Sequence, residues 1–301
     1  MPEFTNTDIS RAPRQVQDAI AQSVQLASGL YLVATPVGNL RDITLRALDT
    51  LRSADLVLAE DTRTSAKLMQ AYNLKPVLSA YHDHNAAKRV PNLVTRIKAG
   101  AAIALISDAG TPLVSDPGYK LARACIDEDL PVYAVPGASS VLSAIVSAGL
   151  PSDKFMFAGF LPTKSAARIK ALQDLQSVPA SLVFFESVRR LSKMLADVYL
   201  VFGNRNVAIA RELTKKYEEI LRGTAKDLID KLGDKILRGE IVVVIGPPER
   251  GEVWSDAQII EALEQRIKPL GMKRASEEIA VLSGHKKRDV YQLALKLKND
   301  R

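Results

Sequence analysis

The sequence holds little of what several protein classes require. Its 301 residues include one cysteine, Cys125. A single thiol closes no intramolecular disulfide, which excludes a stapled secreted scaffold and fits a reducing compartment, so a cytoplasmic location is expected. No apolar run approaches the roughly 18 to 20 residues of a membrane span, and no membrane role is expected. The first 27 residues carry Glu3, Asp8, Arg11, Arg14 and Asp18 with no apolar h-region, unlike a signal peptide. Residues 1–28 read as a flexible N-terminal extension.

Several catalytic signatures are also missing. There is no G-x-x-x-x-G-K-[ST], and the stretch Gly110 to Gly118 has no lysine where a P-loop needs one. No G-x-G-x-x-G follows the first apolar run, and no G-x-S-x-G elbow occurs. His82 and His84 flank Asp83, but side chains two apart converge only on an extended backbone. With no further His or Cys nearby to complete a shell, no metal site is expected.

What is present is enough apolar material for a core, 47% hydrophobic residues, in a length that suggests two or three folding units. Lys and Arg number 41 against 34 Asp and Glu, a net charge of +7. The excess is local: residues 162–222 hold 11 basic against 6 acidic residues and residues 253–301 hold 10 against 7, while residues 29–136 are nearly balanced at 12 against 11. Two basic surfaces suited to a polyanion is one reading, and solvated helix faces is the other.

From Gly29 the chain alternates short apolar runs with helical periodicity. Leu30 to Thr35, Leu56 to Ala59, Ile103 to Ile106 and Val132 to Val135 lack polar alternation, as strands buried on both faces do, and each ends in a polar loop. This predicts an α/β domain with a parallel sheet over residues 29–137. A second α/β domain with a mixed sheet is predicted over 138–248, from strands at Phe155 to Phe157, Ser181 to Phe185, Val207 to Ala210, Ile220 to Gly223 and Glu240 to Ile245. Gly246 to Gly251 reads as a linker. Beyond it three helical patterns, Asp256 to Ile267, Met272 to Leu282 and Lys286 to Lys298, predict a helical domain over 253–301 in which Ser283 to His285 is a helix-turn-helix turn. Packing, dimerisation and nucleic-acid contact all suit such a unit.

Ligands in open α/β sheets bind beyond the carboxyl ends of strands, so the polar loops mark the site. Six of them, Leu30 to Leu40, Ala59 to Arg63, Ile106 to Gly118, Pro136 to Ser140, Phe184 to Ser187 and Ala210 to Leu213, together resemble the tetrapyrrole methylase superfamily and, within it, the branch called ribosomal RNA small subunit methyltransferase I. The resemblance runs from about Gly29 to Arg301. It implies a homodimeric, two-domain enzyme that uses S-adenosylmethionine, held between the domains, to methylate the ribose 2′-hydroxyl of a cytidine in the decoding region of 16S rRNA in the small ribosomal subunit. The family pattern places the donor against Thr35, Pro36, Val37 and Gly38, against Asp108, Gly110, Thr111 and Pro112, against Ser139 and Ser140, and near Phe185, Leu213 and Ile245.

A ribose hydroxyl is a weak nucleophile, so a base or charge partner should sit beside it. The strand-end carboxylates Glu60 and Glu186 are the candidates for that contact. Arg63, Arg189 and Arg211, with Lys215, are the candidates for RNA phosphates, Arg211 also for the catalytic centre. A structural Glu186–Arg189 pair is the competing reading. Lys273, Arg274, Lys286, Lys287 and Arg288 start two successive helices, where N-termini also favour phosphate. A methylase of tetrapyrrole or diphthine-type substrates is the alternative within the fold, and a ligand-responsive helix-turn-helix regulator the alternative outside enzymes.

Overall fold

A computed structural model describes residues 21–233, 235, 237–248, 254–283 and 285–299. The chain divides into two compact units at Pro247–Pro248. The larger unit contains two five-stranded sheets.

The first sheet has the order β3-β2-β4-β1-β5 and every pairing in it is parallel. Its strands are β1 (Gly29–Val33), β2 (Leu56–Ala59), β3 (Leu78–Ala80), β4 (Ala102–Ile106) and β5 (Val132–Val135). The inner strands β2 and β4 are buried at every residue, which is why their sequences lack a polar face. Helices α1 (Leu45–Ser53) and α2 (Thr62–Ala71) cover one face; α3 (Asp83–Lys98) and α4 (Tyr119–Asp127) cover the other. Thr44 and Asp61 cap α1 and α2 by accepting the backbone N–H groups of Ala47 and Arg63. β3 was not legible in the sequence. It is a three-residue edge strand, half-buried throughout, and offers no apolar run to read.

The second sheet has the order β6-β7-β10-β8-β9, from β6 (Phe155–Phe160), β7 (Ser181–Ser187), β8 (Asn206–Arg211), β9 (Glu219–Thr224) and β10 (Glu240–Ile245). β6 and β7 run parallel and the other pairs antiparallel, so the sheet is mixed. Helix α5 (Ser140–Ala148) packs Val141, Ala144 and Ile145 on one face against Val183, Ala208, Ala210 and Val242. Helices α6 (Ser165–Asp174), α7 (Leu191–Phe202) and α8 (Ala225–Leu232) cover the opposite face with Leu172, Met194, Leu195 and Leu228 against Phe184, Ile209 and Val243. Side chains alternate between faces along a strand. Phe185 therefore lies with Val183 on the α5 face, and Glu186 with Phe184 on the other.

One expectation changes here. Residues 21–28 are not a loose extension: the Gln22 N–H donates to Asp49 Oδ1 (2.6 Å), the Val24 N–H to Ser53 Oγ (2.9 Å), and Ala21 is buried in the core around α1. The expected extension over residues 1–20 lies outside the described residues, as do 249–251 of the expected linker.

The smaller unit consists of α9 (Asp256–Leu270), α10 (Met272–Ser283) and α11 (Lys287–Asn299) around Ile259, Leu263, Ala275, Ile279, Val290 and Ala294. Ser255 and Gln258 form a capping box at the start of α9. Gly284, centre of the expected turn, lies outside the described residues.

Candidate active site at the strand ends

The loops that leave β1, β4 and β5 are tied to one another by backbone bonds. Thr35 and Gly110 form an isolated bridge, with Thr35 N donating to Gly110 O (2.8 Å) and Gly110 N to Thr35 O (3.0 Å). The buried Thr35 hydroxyl donates to Ser107 O and Thr111 Oγ1 to Ala138 O, each at 3.2 Å. Gly137 lets this turn pack closely, because a Cβ there would meet the Ala34 Cβ at 3.0 Å, a tight contact. Ser139 caps α5 by accepting Leu142 N–H (3.4 Å), and the first N–H groups of that helix, from Ser140 onward, have no earlier carbonyl in the helix to bond. Thr35 to Gly38, Gly110 to Pro112 and Ser139–Ser140 are thus held close together at the strand ends.

Segments of the second sheet pack against these loops. Leu213 and Phe185 share an apolar cluster with Val141 and Val114, and the Phe185 ring lies 4.8 Å from that of Phe157 and 5.5 Å from that of Phe160. Gly38 sits against the loop after β8: a Cβ on it would come within 2.5 Å of Lys215 Cγ and 3.1 Å of Leu213 O.

Acidic groups gather at the ends of β2 and β4. Asp108 Oδ1 accepts Asp61 N–H (3.2 Å), while Oδ2 has no protein partner among the described residues. Burial raises the Glu60 carboxyl above its ordinary range, helped by Asp108 and Asp83 and opposed by His82. Asp116 is pushed up to about 6 by burial and by the charges of Glu60 and Asp108, against a bond from Ser107 that lowers it. Among the described residues no three His, Cys, Asp or Glu side chains are grouped so as to hold a metal ion. Sequence reasoning missed Asp116, although it lies inside the Ser-Asp-Pro-Gly end of a motif already singled out; what makes it unusual is its surroundings, which no motif displays.

Other residues nominated from the sequence are placed elsewhere or are already engaged. Glu186 faces the far side of the sheet, its side chain fully buried, with Oε1 accepting Ser187 N–H (2.7 Å) and lying 3.1 Å from Arg190 Nε. Its ion-pair partner is Arg190, not Arg189, because i and i+4 meet across the turn that starts α7. Arg211 is bound by Glu219 on the neighbouring strand at 3.0 Å and donates to Arg238 O at 3.2 Å. Ile245 is buried in the outer core and pairs with Leu182 and Val207, at the opposite end of the sheet from Glu186 and Arg211. The Lys215 ammonium contacts Glu212 Oε1 (2.9 Å) and Glu240 Oε2 (3.2 Å), and Lys287 pairs with Glu277. Arg189, Lys273, Arg274, Lys286 and Arg288 are exposed. Arg63 is also exposed but held bidentately by Asp61, whose carboxyl those bonds depress to about 2.

A family model described as Tetrapyrrole (Corrin/Porphyrin) Methylases matches residues 29–229. Among curated relatives, the chain is 47% identical to a ribosomal RNA small subunit methyltransferase I of Mesorhizobium japonicum, over 91% of this chain and 94% of that one. It is 42% identical to the protein of that name from Haemophilus influenzae, over 88% and 96%. Of solved structures, a uroporphyrin-III-C-methyltransferase from Thermus thermophilus superposes with a TM-score of 0.53 at 23% identity, covering 73% of this chain and 94% of that one. A diphthine synthase does so with 0.53 at 15%, covering 72% and 89%. The structural likenesses show the fold; the sequence identities place the chain more narrowly. With its six strand-end loops assembled as described, the chain belongs to the tetrapyrrole methylase family and, within it, to the ribosomal RNA small subunit methyltransferase I group.

Proposed function

We propose that this protein uses S-adenosylmethionine to methylate the ribose 2′-hydroxyl of a cytidine in the decoding region of small-subunit (16S) rRNA, as a cytoplasmic homodimer. The observation that carries the reading is the joining of the β1, β4 and β5 loops to the Phe185 and Leu213 segments around one cleft, in a chain whose relatives at 40–47% identity are named for small-subunit rRNA.

The cleft suits such a donor chemically. Its walls offer the helix-start N–H groups at Ser139–Ser140, the Asp108 Oδ2 oxygen, which has no protein partner among the described residues, for an ammonium or ribose hydroxyl, an aromatic face at Phe185, and at Gly110 a backbone that a ligand can approach, since a Cβ there would find nothing closer than 3.7 Å. S-adenosylmethionine, when bound, supplies a methyl group already activated on a sulfonium sulfur. The protein's tasks are then alignment and the exclusion of water. Glu60 and Asp116 are the carboxylates whose surroundings raise their basicity, and one of the two receives the single proton of the acceptor hydroxyl. The exposed cations Arg189, Lys273, Arg274, Lys286 and Arg288 attract RNA phosphates.

Incubating the protein with labelled donor and either small subunits or naked rRNA tests the reading. Label in rRNA, strongest with one of the two forms, is expected; label in neither, with donor bound, contradicts it.

A further inference from the structure

The loop that leaves β1 is seated on a residue of the other sheet. Gly38 faces Lys215, and a Cβ there would lie 2.5 Å from Lys215 Cγ and 3.0 Å from Cε. The 2.5 Å distance is closer than real Cβ atoms approach, so the lysine stem occupies the space that a side chain at position 38 would need. The φ of Gly38 is not left-handed, so the demand for glycine here arises from the neighbour and not from the backbone.

The stem is held where it is. Lys215 Nζ bonds Glu212 Oε1 and Glu240 Oε2, and Glu212 Oε1 also accepts Glu240 N–H (3.0 Å). The Glu212 carboxylate itself lies against Gly239, where a Cβ would come within 2.3 Å of it. Glu212 and Thr214 both have left-handed φ, +50° and +64°, a conformation that non-glycine residues adopt at a cost and that persists only when the surroundings enforce it. Bonds to Lys215 lower the Glu212 carboxyl. Burial alone would lower Lys215, and its two acidic partners outweigh that and raise it. With two of its three N–H donors on Glu212 and Glu240, the ammonium is neutralised by its own neighbours and is a poor partner for an RNA phosphate. What it presents to the cleft is its hydrocarbon stem.

We propose that Lys215 is a positioning residue for the methyl-donor site: its stem, clamped by Glu212 and Glu240, is the seat on which the Thr35–Gly38 loop rests, so that a residue of the second sheet sets the shape of a loop from the first. The inference rests on the reading of Thr35–Gly38 as donor-binding. Placement errors of about 1 Å at such a site are costly to alignment.

The test is a double-mutant cycle on the full chain, with S-adenosylhomocysteine as the calorimetric probe. Gly38→Ala is expected to weaken binding by tenfold or more. Lys215→Ala, which unseats the loop, weakens it several-fold. Gly38→Ala with Lys215→Ala binds better than Gly38→Ala alone, because the truncated stem makes room for the new methyl, leaving only the closer fit to Leu213 O. Donor KM follows the same order. The salt slope of RNA binding is unchanged in Lys215→Ala, whereas a phosphate contact would reduce it by about one. Additive losses in the cycle, or a reduced salt slope with donor affinity intact, overturn the proposal. If Gly38→Ala does not fold, Lys215→Ala decides alone: undiminished probe affinity overturns the seat. Failure of the unmodified chain to bind the probe would instead refute the donor reading on which the seat depends.

Discussion

Replacing Glu186 by Gln separates a structural carboxylate from a catalytic one. The side chain is fully buried on the outer face of the second sheet, where Oε1 accepts Ser187 N–H and faces Arg190. Removing one partner of a fully buried pair costs about 3–5 kcal/mol. The cost here is smaller, because 26% of the Arg190 side chain reaches solvent, its guanidinium also donates to Leu161 O, and a glutamine oxygen still accepts the Ser187 N–H. About 1–3 kcal/mol remains, the range for a buried polar group left without its partner. In a unit of this size that lowers the melting temperature by roughly 3 to 10 °C. Calorimetric melting and single-turnover methyl transfer, measured below the onset of unfolding, give the two readouts. The expected result is a clear fall in melting temperature with a transfer rate within about threefold of the unmodified protein. A rate loss of about a hundredfold with an unchanged melting temperature would show that the carboxylate acts in the reaction, and the placement argued from strand alternation would be wrong.

Asp116→Asn should move stability and activity in opposite directions. The folded group titrates near 6, above its ordinary value of 3.8, so the native state holds the proton more tightly and stability falls as pH rises between those values. The variant should melt higher than the parent at pH 8 and together with it below about pH 4; melting lower at pH 8 would contradict the burial argument. Its transfer rate should fall about a hundredfold, and the parent's rate should decline below about pH 6 as the carboxylate protonates. Phe185→Ala should weaken S-adenosylhomocysteine affinity by tenfold or more in calorimetry, since the ring is packed at the cleft by Phe157 and Phe160. Deleting residues 253–301 should weaken small-subunit binding and flatten its salt dependence while leaving donor-product affinity intact; collapse of donor binding would assign the helical unit a structural role instead.

Strands with no polar alternation announced themselves: Leu56–Ala59 and Val132–Val135 begin and end where the apolar runs do, although β5, at the edge of its sheet, is exposed at Tyr133 and Ala134 and not buried on both faces as its sequence suggests. β3 was illegible because three half-buried residues carry no period. The loops were legible as motifs, and the bridge from Thr35 to Gly110 joins two of them. Side-chain direction was the part the motifs concealed. Glu186 and Phe185 are adjacent in one motif yet lie on opposite faces of the sheet, and Ile245 ends a strand that runs antiparallel to its neighbours, which carries it away from the cleft. Partners were concealed for the same reason. Arg211 and Lys215 look like free cations until Glu219, Glu212 and Glu240 are brought beside them by pairing across the sheet. Charge counting over residues 162–222 therefore overstated the cations open to RNA, with Arg189 exposed and Arg168 buried against Asp197 at 2.6 Å.

The most direct test of the central claim is chemical mapping of the transferred methyl group. Small subunits lacking the modification are incubated with the protein and labelled S-adenosylmethionine, and the rRNA is hydrolysed in alkali, which cleaves only where a free 2′-hydroxyl attacks the adjacent phosphate. The account predicts label in an alkali-resistant dinucleotide that begins with cytidine. Label recovered in ordinary mononucleotides, on a base, would contradict ribose methylation and with it the role given to the acidic wall of the cleft.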